Sequence, residues 1–391
     1  MPKGFKAAGI AAGIKKNGNK DLGLIYSESP AAAAGVFTKN KVQAACVTLD
    51  RKRLEGQGAC QAIIVNSGNA NCCTGAAGMA DAVAMGEAAA RVLGIDGEHV
   101  MVASTGVIGQ RMPMDKVKDA VPELAATLSE DGLTDFAEAI MTTDTVPKRV
   151  TRQGDVDGLK YTIAGVAKGA GMIRPDMATM LCFVCTDIDI DQGDLQKLVS
   201  TANDKSFNRI TIDGDTSTND TLLVLANGMS GACAKTPVQV AAFGKMLEEV
   251  LVALAKMVVM DGEGATKLVQ ISVNGALSDV DARLIADTVA NSNLVKTAFF
   301  GEDANWGRIV AAMGRSGVDF DYETVDLYFD SVRLIENGEY VGPEAEAAAT
   351  EVLRQQEFEV GIDIKKGSGK AHVWTCDFSV DYVRINADYR S

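Results

Sequence analysis

The stretch Lys168-Gly-Ala-Gly-Met-Ile-Arg-Pro-Asp-Met-Ala-Thr179-Met-Leu-Cys-Phe-Val-Cys-Thr186 contains the most informative boundary in the chain. A polar loop interrupted by glycine and proline ends at a small residue, and a run of apolar, branched and aromatic residues begins at Thr179. Such a run is typical of a buried strand. Another strand is predicted over 159–168, so one strand leads into the loop and a second one leaves it.

Thr179 suits one kind of chemistry because it directly follows the small residue Ala178 at this junction. If the bond between the two residues is cut, Thr179 gains a free α-amine, whose pKa is about 7.7–8.0. At neutral pH that amine can accept the proton of the hydroxyl on the same residue. Thr179 would then be nucleophile and base together.

The usual base, histidine, is scarce. The 391 residues include only His99 and His372. His99 lies in a turn that leads into an apolar strand, and His372 alternates with apolar residues, which is typical of surface and strand histidines. The sequence therefore offers no good histidine for a Ser-His-Asp or Cys-His mechanism.

Residues 168–181 resemble the autocleavage motif of the ornithine acetyltransferase (glutamate N-acetyltransferase) family, whose members cut themselves before a threonine and use it as nucleophile. Further blocks similar to the family follow in order along the chain, at 4–10, 66–71, 104–109, 142–145, 213–220, 261–267, 301–308 and 386–391. Nine ordered matches are far harder to obtain by chance than one short motif.

The resemblance implies an α chain of residues 1–178 and a β chain of residues 179–391, separated by autocleavage between Ala178 and Thr179. It implies an α+β fold, a layered α/β/β/α sandwich in two lobes that is shared with self-cleaving aminopeptidases. The activity implied is transfer of the acetyl group of N-acetylornithine to glutamate through an acyl-enzyme, in arginine biosynthesis. Two α and two β chains would form a heterotetramer. The sequence leaves open whether acetyl-CoA also donates acetyl groups to glutamate.

The family resemblance also implies the site. Besides the nucleophile Thr179, the catalytic residues would be Thr105 and Gly106, which stabilise the oxyanion, and Glu263. The residues that would bind the substrates ornithine, N-acetylornithine and glutamate are Thr142, Lys168, Thr179, Glu263, Asn386 and Ser391. The family is expected to have threonine at the last of these positions, and serine keeps the hydroxyl.

Each of these residues also has a simpler interpretation. Thr105-Gly106 is compatible with a plain turn, and Lys168 with a surface lysine on a strand. Glu263 lies between two glycines after a long apolar helix, where its side chain is expected to be unconstrained and could be a solvated carboxylate. The tail from Asn386 would ordinarily be frayed.

Two other functions stay open at this point. A self-cleaving amidohydrolase or aminopeptidase would use water in place of glutamate as the acceptor. A metabolite-binding or assembly protein would cleave itself without turnover. Acetyl transfer that depends on glutamate would distinguish the acetyltransferase from the hydrolase. Formation of an acetyl-enzyme would distinguish it from a protein that cleaves itself without turnover.

Length and charge restrict the remaining classes. A chain of 391 residues exceeds the roughly 250–300 residues that one core supports, so two lobes are expected. The net charge of −14 argues against a nucleic-acid partner, because such partners need clustered lysine and arginine. No stretch approaches the roughly 20 apolar residues that span a membrane, and the first residues lack the hydrophobic core of a secretory signal. A cytoplasmic protein without a membrane partner is expected.

The eight cysteines indicate neither disulfides nor a metal site. Cys182 and Cys185 form a C-x-x-C within the apolar strand, without a second pair or a histidine to complete a zinc set. Buried or half-buried reduced thiols are predicted. The loops at 169–174 and 213–220 match neither a nucleotide fingerprint nor a calcium loop. No metal or cofactor is expected.

Residue periodicity predicts strands and helices in irregular alternation, which favours α+β layers. Strands are predicted at 22–27, 35–38, 60–66, 100–105, 159–168, 179–186, 221–226, 268–274, 325–333, 358–364 and 373–378. Helices are predicted at 79–93, 115–128, 194–203, 238–260, 281–291, 305–313 and 343–356. Pro122 is expected to break or kink the second of these helices.

Overall fold

A computed structural model of the chain describes residues 1–174 and 180–388. The chain divides into two compact units. The first unit comprises Met1–Asn208 and Asp215–Val258, and the second comprises Arg209–Gly214 and Val259–Ser391. The predicted division into 1–178 and 179–391 concerns a cleavage point that lies outside the described residues, and it stays a prediction.

The strands, in chain order, are β1 (Phe5–Ile10), β2 (Leu22–Phe37), β3 (Ala59–Asn69), β4 (Val100–Val107), β5 (Lys148–Val156), β6 (Leu159–Lys168), β7 (Leu181–Thr186), β8 (Asp189–Ile190), β9 (Ile210–Thr211), β10 (Thr221–Ala226), β11 (Cys233–Ala234), β12 (Leu268–Ala276), β13 (Asp326–Phe329), β14 (Val332–Glu336), β15 (Glu339–Tyr340), β16 (Glu357–Asp363) and β17 (Gly369–Cys376). The α-helices are α1 (Ala45–Gln57), α2 (Gly75–Leu93), α3 (Met114–Ala126), α4 (Leu133–Ala139), α5 (Gln192–Lys205), α6 (Pro237–Met260), α7 (Asp279–Ala290), α8 (Asn293–Phe300), α9 (Trp306–Gly314), α10 (Pro343–Leu353) and α11 (Val380–Ala387).

The first unit is built on one mixed sheet with the strand order β4-β3-β2-β10-β7-β6-β5, and β1 pairs with β2. The pairs β3/β4 and β7/β10 are parallel, and the other neighbours are antiparallel. In β7 every residue is buried, which matches its continuous apolar sequence. Strands β8 and β11 form a separate parallel pair.

Helices cover both faces of this sheet. Successive side chains of a strand point to opposite faces. Phe183 of β7 packs edge-on against Phe136 of α4, with ring centroids 5.7 Å apart. On the other face, α6 lies so close to β6 that a Cβ atom at Gly165 would be 2.9 Å from Leu254 and 3.3 Å from Val250. The long apolar helix predicted from the sequence is therefore a core helix.

The second unit contains a sheet with the order β15-β14-β13-β16-β12-β17-β9, in which β12/β16 and β9/β17 are parallel. Helix α7 packs against β12 and β17, and α10 packs against β13 and β14. Phe299 of α8 meets Phe358 of β16 edge-on, with ring centroids 5.4 Å apart. Ser379 starts α11 because its hydroxyl accepts a hydrogen bond from the backbone of Asp381.

The mixed sheets and their helices confirm the predicted α+β class. Among the element predictions, two strands at 22–27 and 35–38 were wrong, because β2 is one strand through both. The pairing of β2 with β1 stops at Ser27, and its pairing with β10 starts at Ala32. Pro30 lies between these two positions, where no hydrogen bond of either pairing needs the N–H that proline lacks.

Two further predictions fail for local reasons. Pro122 does not break α3, which continues through it to Ala126 with Pro122 on its exposed side, and the predicted kink stays a prediction. The strand predicted at 325–333 is a hairpin of β13 and β14, joined by a turn in which Asp330 has a φ of +48°. Aspartate tolerates this left-handed conformation, which ends the apolar run as a strand.

All eight cysteines are free thiols, and six of them are buried. Cys233 is half-buried, while Cys73 is exposed, which the sequence did not predict. Within residues 1–174 and 180–388, no helix is long and apolar enough to cross a membrane.

Candidate active site

Three of the predicted site residues, Ala178, Thr179 and Ser391, lie outside the described residues, and their roles stay predictions. The residue that follows Thr179 is held firmly. The backbone N–H of Met180 donates to Oδ1 of Asp220 at 3.0 Å, and both residues are buried. Leu181 then pairs with Lys168 at the end of β6 and with Thr221 at the start of β10.

Thr105 and Gly106 lie near the end of β4, opposite Ser67 and Gly68 of β3. Gly106 has a φ of +132°, and a Cβ atom there would be 2.4 Å from the carbonyl carbon of Gly68. A glycine is required because no side chain fits between the two strands. Thr105 itself is buried.

Lys168 is buried, with 3% of its surface exposed, and its Nζ donates to Oγ1 of Thr105 at 3.4 Å. The interpretation as a surface lysine is wrong. Strands β4 and β6 are not neighbours, since β3, β2, β10 and β7 lie between them in the sheet order. A flat sheet would separate them by about 24 Å at ~4.8 Å per strand, so this contact requires strong twist and curvature.

A buried carboxylate organises the surroundings of Lys168. Asp144 accepts hydrogen bonds from Lys148 Nζ at 2.6 Å, from the Gly169 N–H at 2.7 Å and from the Thr142 N–H at 3.0 Å. The side chains of Asp144 and Lys148 are fully buried. Asp144 therefore joins the predicted binding residues Thr142 and Lys168 into one network.

The electrostatics of this network favour an ionised Asp144. Burial alone would raise the pKa of its carboxyl group, but the charges of Lys168 and Lys148 and the hydrogen bonds from Lys148 and Thr142 hold that pKa below its usual range. Lys15 lies nearby, and its pKa is lowered to about 8, mainly by burial and also by the charge of Lys168. Lys168, Lys148 and Lys15 thus place three cations near the ionised Asp144, and positive charge of this kind suits an anionic ligand.

Two buried residues of the segment 215–220 were missed as individual site residues. Asn219 donates through Nδ2 to the carbonyl oxygens of Ala70 at 2.7 Å and Ser104 at 2.8 Å, so it fixes the ends of β3 and β4. Burial raises the pKa of Asp220 well above its usual range, against the opposing effects of the Met180 N–H, the Thr38 hydroxyl and the charge of Lys168. The sequence signal that could have identified Asn219 and Asp220 was an amide and an acidic side chain within a loop that was predicted to approach the substrate.

In the second unit, Glu263 and Asn386 come together. Glu263 is 7% exposed, and its Oε2 accepts a hydrogen bond from Nδ2 of Asn386 at 2.8 Å. The expectation of an unconstrained, solvated carboxylate is therefore wrong. Asn386 lies in α11 rather than in a frayed tail. Helix α11 approaches the loop so closely that a Cβ atom at Gly264 would be 2.6 Å from the Tyr382 nitrogen.

His99 belongs to the first unit and His372 to the second. His99 precedes β4, whereas Thr105 is near the other end of that strand, about 20 Å further at ~3.3 Å per residue. His372 packs against Trp374 in β17, with ring centroids 4.6 Å apart. Across the described ranges, with 175–179 and 389–391 set aside, no group of three histidine, cysteine, aspartate or glutamate side chains could hold a metal ion.

Comparison with known proteins identifies the family. The model of the ArgJ family matches residues 6–391. The chain belongs to the ArgJ family. The "Arginine biosynthesis bifunctional protein ArgJ" of Geobacter sulfurreducens is 52% identical over 391 residues, which are 100% of this chain and 99% of that protein. The protein of the same name from Syntrophotalea carbinolica is 54% identical over 394 residues, 99% of each chain.

A solved ornithine acetyltransferase of Mycobacterium tuberculosis, complexed with ornithine, is 46% identical; it covers 45% of this chain and 93% of that one, with a TM-score of 0.43. Membership of the ArgJ family confirms the family predicted from the sequence. The chain is an enzyme of arginine biosynthesis that transfers acetyl groups, and the amidohydrolase alternative is not supported.

Proposed function

We propose that the chain cuts itself between Ala178 and Thr179 and then moves the acetyl group of N-acetylornithine to glutamate through acetyl-Thr179. One observation carries the proposal. Lys168 pairs with Leu181, two residues after Thr179, and its side chain reaches Thr105. The strand that follows the nucleophile therefore begins beside the residues that were predicted to stabilise an oxyanion.

The first half of the reaction forms the acetyl-enzyme. The α-amine of Thr179 takes the proton of the Thr179 hydroxyl, and the oxygen attacks the acetyl carbonyl carbon. The Thr105 hydroxyl and the Gly106 N–H donate to the resulting oxyanion. The bond from the carbonyl carbon to the ornithine nitrogen breaks, and the nitrogen leaves with the proton held by the amine.

The second half runs the same steps with glutamate. The amino group of glutamate attacks the ester carbonyl, and the α-amine of Thr179 takes a proton from that nitrogen. The bond from the carbonyl carbon to the Thr179 oxygen breaks, the oxygen receives the proton from the amine, and N-acetylglutamate is released. Each residue keeps one role in both halves because the two substrates share their amino-acid groups.

Charge supports the assignment of the binding residues. The buried ammonium group of Lys168 suits the α-carboxylate of either substrate, and Thr142 is bonded to the neighbouring Asp144. Glu263, with one oxygen held by Asn386, is suited to bind an ammonium group through the other. Ser391 is assigned to the substrate as well, as the family resemblance implies.

Acetylation of glutamate from acetyl-CoA is a second candidate activity, because the relatives are named bifunctional. The proposed assembly is a heterotetramer of two α and two β chains in the cytoplasm. Analytical ultracentrifugation should then give twice the 41.1 kDa mass of the chain.

One assay tests the reaction. Purified protein is incubated with glutamate and either N-acetylornithine or acetyl-CoA, and the products and the acetylated β chain are measured by mass spectrometry. The proposal expects N-acetylglutamate from N-acetylornithine and an acetyl group on Thr179. Release of acetate at the same rate with and without glutamate would overturn it in favour of hydrolysis, and absence of an acetyl-enzyme would indicate a protein without turnover.

A further inference from the structure

The hydrogen bond between Lys168 and Thr105 fixes the direction of a hydroxyl proton. A lysine ammonium group can only donate, so Oγ1 of Thr105 must accept from Nζ of Lys168. The Thr105 hydrogen then cannot point toward Lys168 and is directed to another acceptor. With 5% of Thr105 and 3% of Lys168 exposed, water competes little for either group.

We propose that Lys168 is a positioning residue for the oxyanion site: it holds the Thr105 hydroxyl in the orientation that donates to the oxyanion. Its charge also makes that hydroxyl a stronger donor, because an adjacent cation stabilises negative charge on the threonine oxygen and on the oxyanion beyond it. This role differs from holding a substrate carboxylate, and it rests on the proposed function of Thr105.

Asp144 keeps Lys168 in place and charged. By accepting from the Gly169 N–H at 2.7 Å it fixes the backbone directly after Lys168, and its negative charge faces the buried ammonium. Within the part of the chain that the structure describes, further ionisable groups near this centre include Lys148, Lys15, Asp21 and Asp220. The charge of Lys168 acts on both Asp144 and Asp220, and of these two the pKa of Asp144 is lowered whereas that of Asp220 is raised.

A double-mutant cycle tests the proposal. The variants Thr105→Ala, Lys168→Met and Thr105→Ala/Lys168→Met are compared for kcat and KM with N-acetylornithine. Loss of one oxyanion donor typically lowers kcat by about 10²- to 10³-fold. We expect Lys168→Met to lower kcat by at least tenfold on its own, and to change it by less than about threefold once Thr105 is alanine. Losses that multiply, or a change confined to KM, would overturn the proposal.

Autocleavage provides a second readout because it involves no free amino acid. A residue that only binds a substrate carboxylate should leave cleavage between Ala178 and Thr179 at its normal rate. We expect Lys168→Met to slow cleavage to the same degree as Thr105→Ala, measured from the ratio of intact to cut chain after synthesis. Normal cleavage by Lys168→Met would contradict the proposal. If the wild-type chain itself neither cuts nor transfers acetyl groups, the proposed function fails instead.

Asp144→Asn supplies a test that leaves Lys168 present. Removing the facing negative charge makes the ammonium easier to deprotonate, so the fall of kcat on the alkaline side should begin at lower pH than in the wild type. The same alkaline profile in a folded Asp144→Asn variant would overturn the proposal.

A matched control is Lys296→Met. It removes another buried lysine that donates to a threonine hydroxyl, that of Thr375 at 2.8 Å. Its folded fraction should keep the wild-type profile.

Discussion

Replacement of Glu263 by glutamine separates acetyl transfer from autocleavage. A glutamine side chain has the same size and keeps an oxygen that can still accept from Nδ2 of Asn386, which is 2.8 Å from Glu263 Oε2. It lacks the negative charge that we assign to the substrate ammonium. We expect Glu263→Gln to cut normally between Ala178 and Thr179 and to transfer acetyl groups more slowly.

The burial of Glu263 sets the size of the effect. With 7% of the residue exposed, solvent screens the lost charge only weakly. A hydrogen bond to a charged group contributes about 1.5–3 kcal/mol, which corresponds to a loss of about tenfold to 150-fold in kcat/KM. Glu339→Gln makes the same chemical change at an exposed position in β15 and should stay within about twofold of the wild type.

Steady-state rates with N-acetylornithine and glutamate measure the loss, and a denaturing gel reports cleavage of the same samples. If Glu263→Gln transfers acetyl groups at the wild-type rate, the carboxylate does not hold the substrate. If the variant remains uncut, the lost activity follows from failed processing, and the assignment of Glu263 to the substrate alone is wrong.

Three other outcomes are expected. Wild-type protein should consist of two fragments, the larger beginning at Thr179, and Thr179→Ala should remain one inactive chain on a denaturing gel; intact and active wild-type protein would refute autocleavage. Replacing both His99 and His372 with glutamine should leave most of the activity, and its rate should fall as pH drops through the α-amine pKa of about 7–8; collapse of turnover in the folded variant would indicate a histidine mechanism. Asp144→Ala should lower the free energy of unfolding at pH 7 by about 3–5 kcal/mol, because it leaves buried Lys148 without its carboxylate. The pKa of Asp144 is depressed in the folded state, so the ionised carboxylate stabilises the fold above the unfolded pKa of about 3.9, and this stabilisation is lost as pH falls toward the folded pKa. The melting temperatures of variant and wild type should therefore converge in acid. A difference in melting temperature that stays constant with pH would show that the charge contributes nothing.

Local patterns predicted the strands that flank the candidate site and the family resemblance predicted its residues. Both β6 and β10 have the predicted bounds, because their apolar runs end at polar residues. The contact between Lys168 and Thr105 could not be predicted, since it depends on curvature that brings two distant strands together. Periodicity reports which face of a strand is apolar, and it carries no information on how far a sheet bends.

Asp144 and Asp220 show a second limit. Both are acidic residues in polar loops, where exposure is the ordinary expectation. Their burial depends on donors from distant parts of the chain, the Gly169 N–H for Asp144 and the Met180 N–H for Asp220. The expectation that the Glu263 side chain is unconstrained failed for the same reason, because its partner Asn386 lies in a terminal helix that the sequence did not predict.

The strand order of the first unit has a consequence for a chain that has been cut. Strands β7 and β10 follow the proposed cleavage point, yet they lie between β2 and β6, which precede it. Neither fragment can complete this sheet alone, so folding must come before cutting. Afterwards, unfolding is also dissociation of two polypeptides, and refolding requires them to meet. The separation of the two fragments should therefore make the melting temperature of the cut protein rise with its concentration. Thr179→Ala keeps the two parts in one covalent chain, so this contribution should be missing from it.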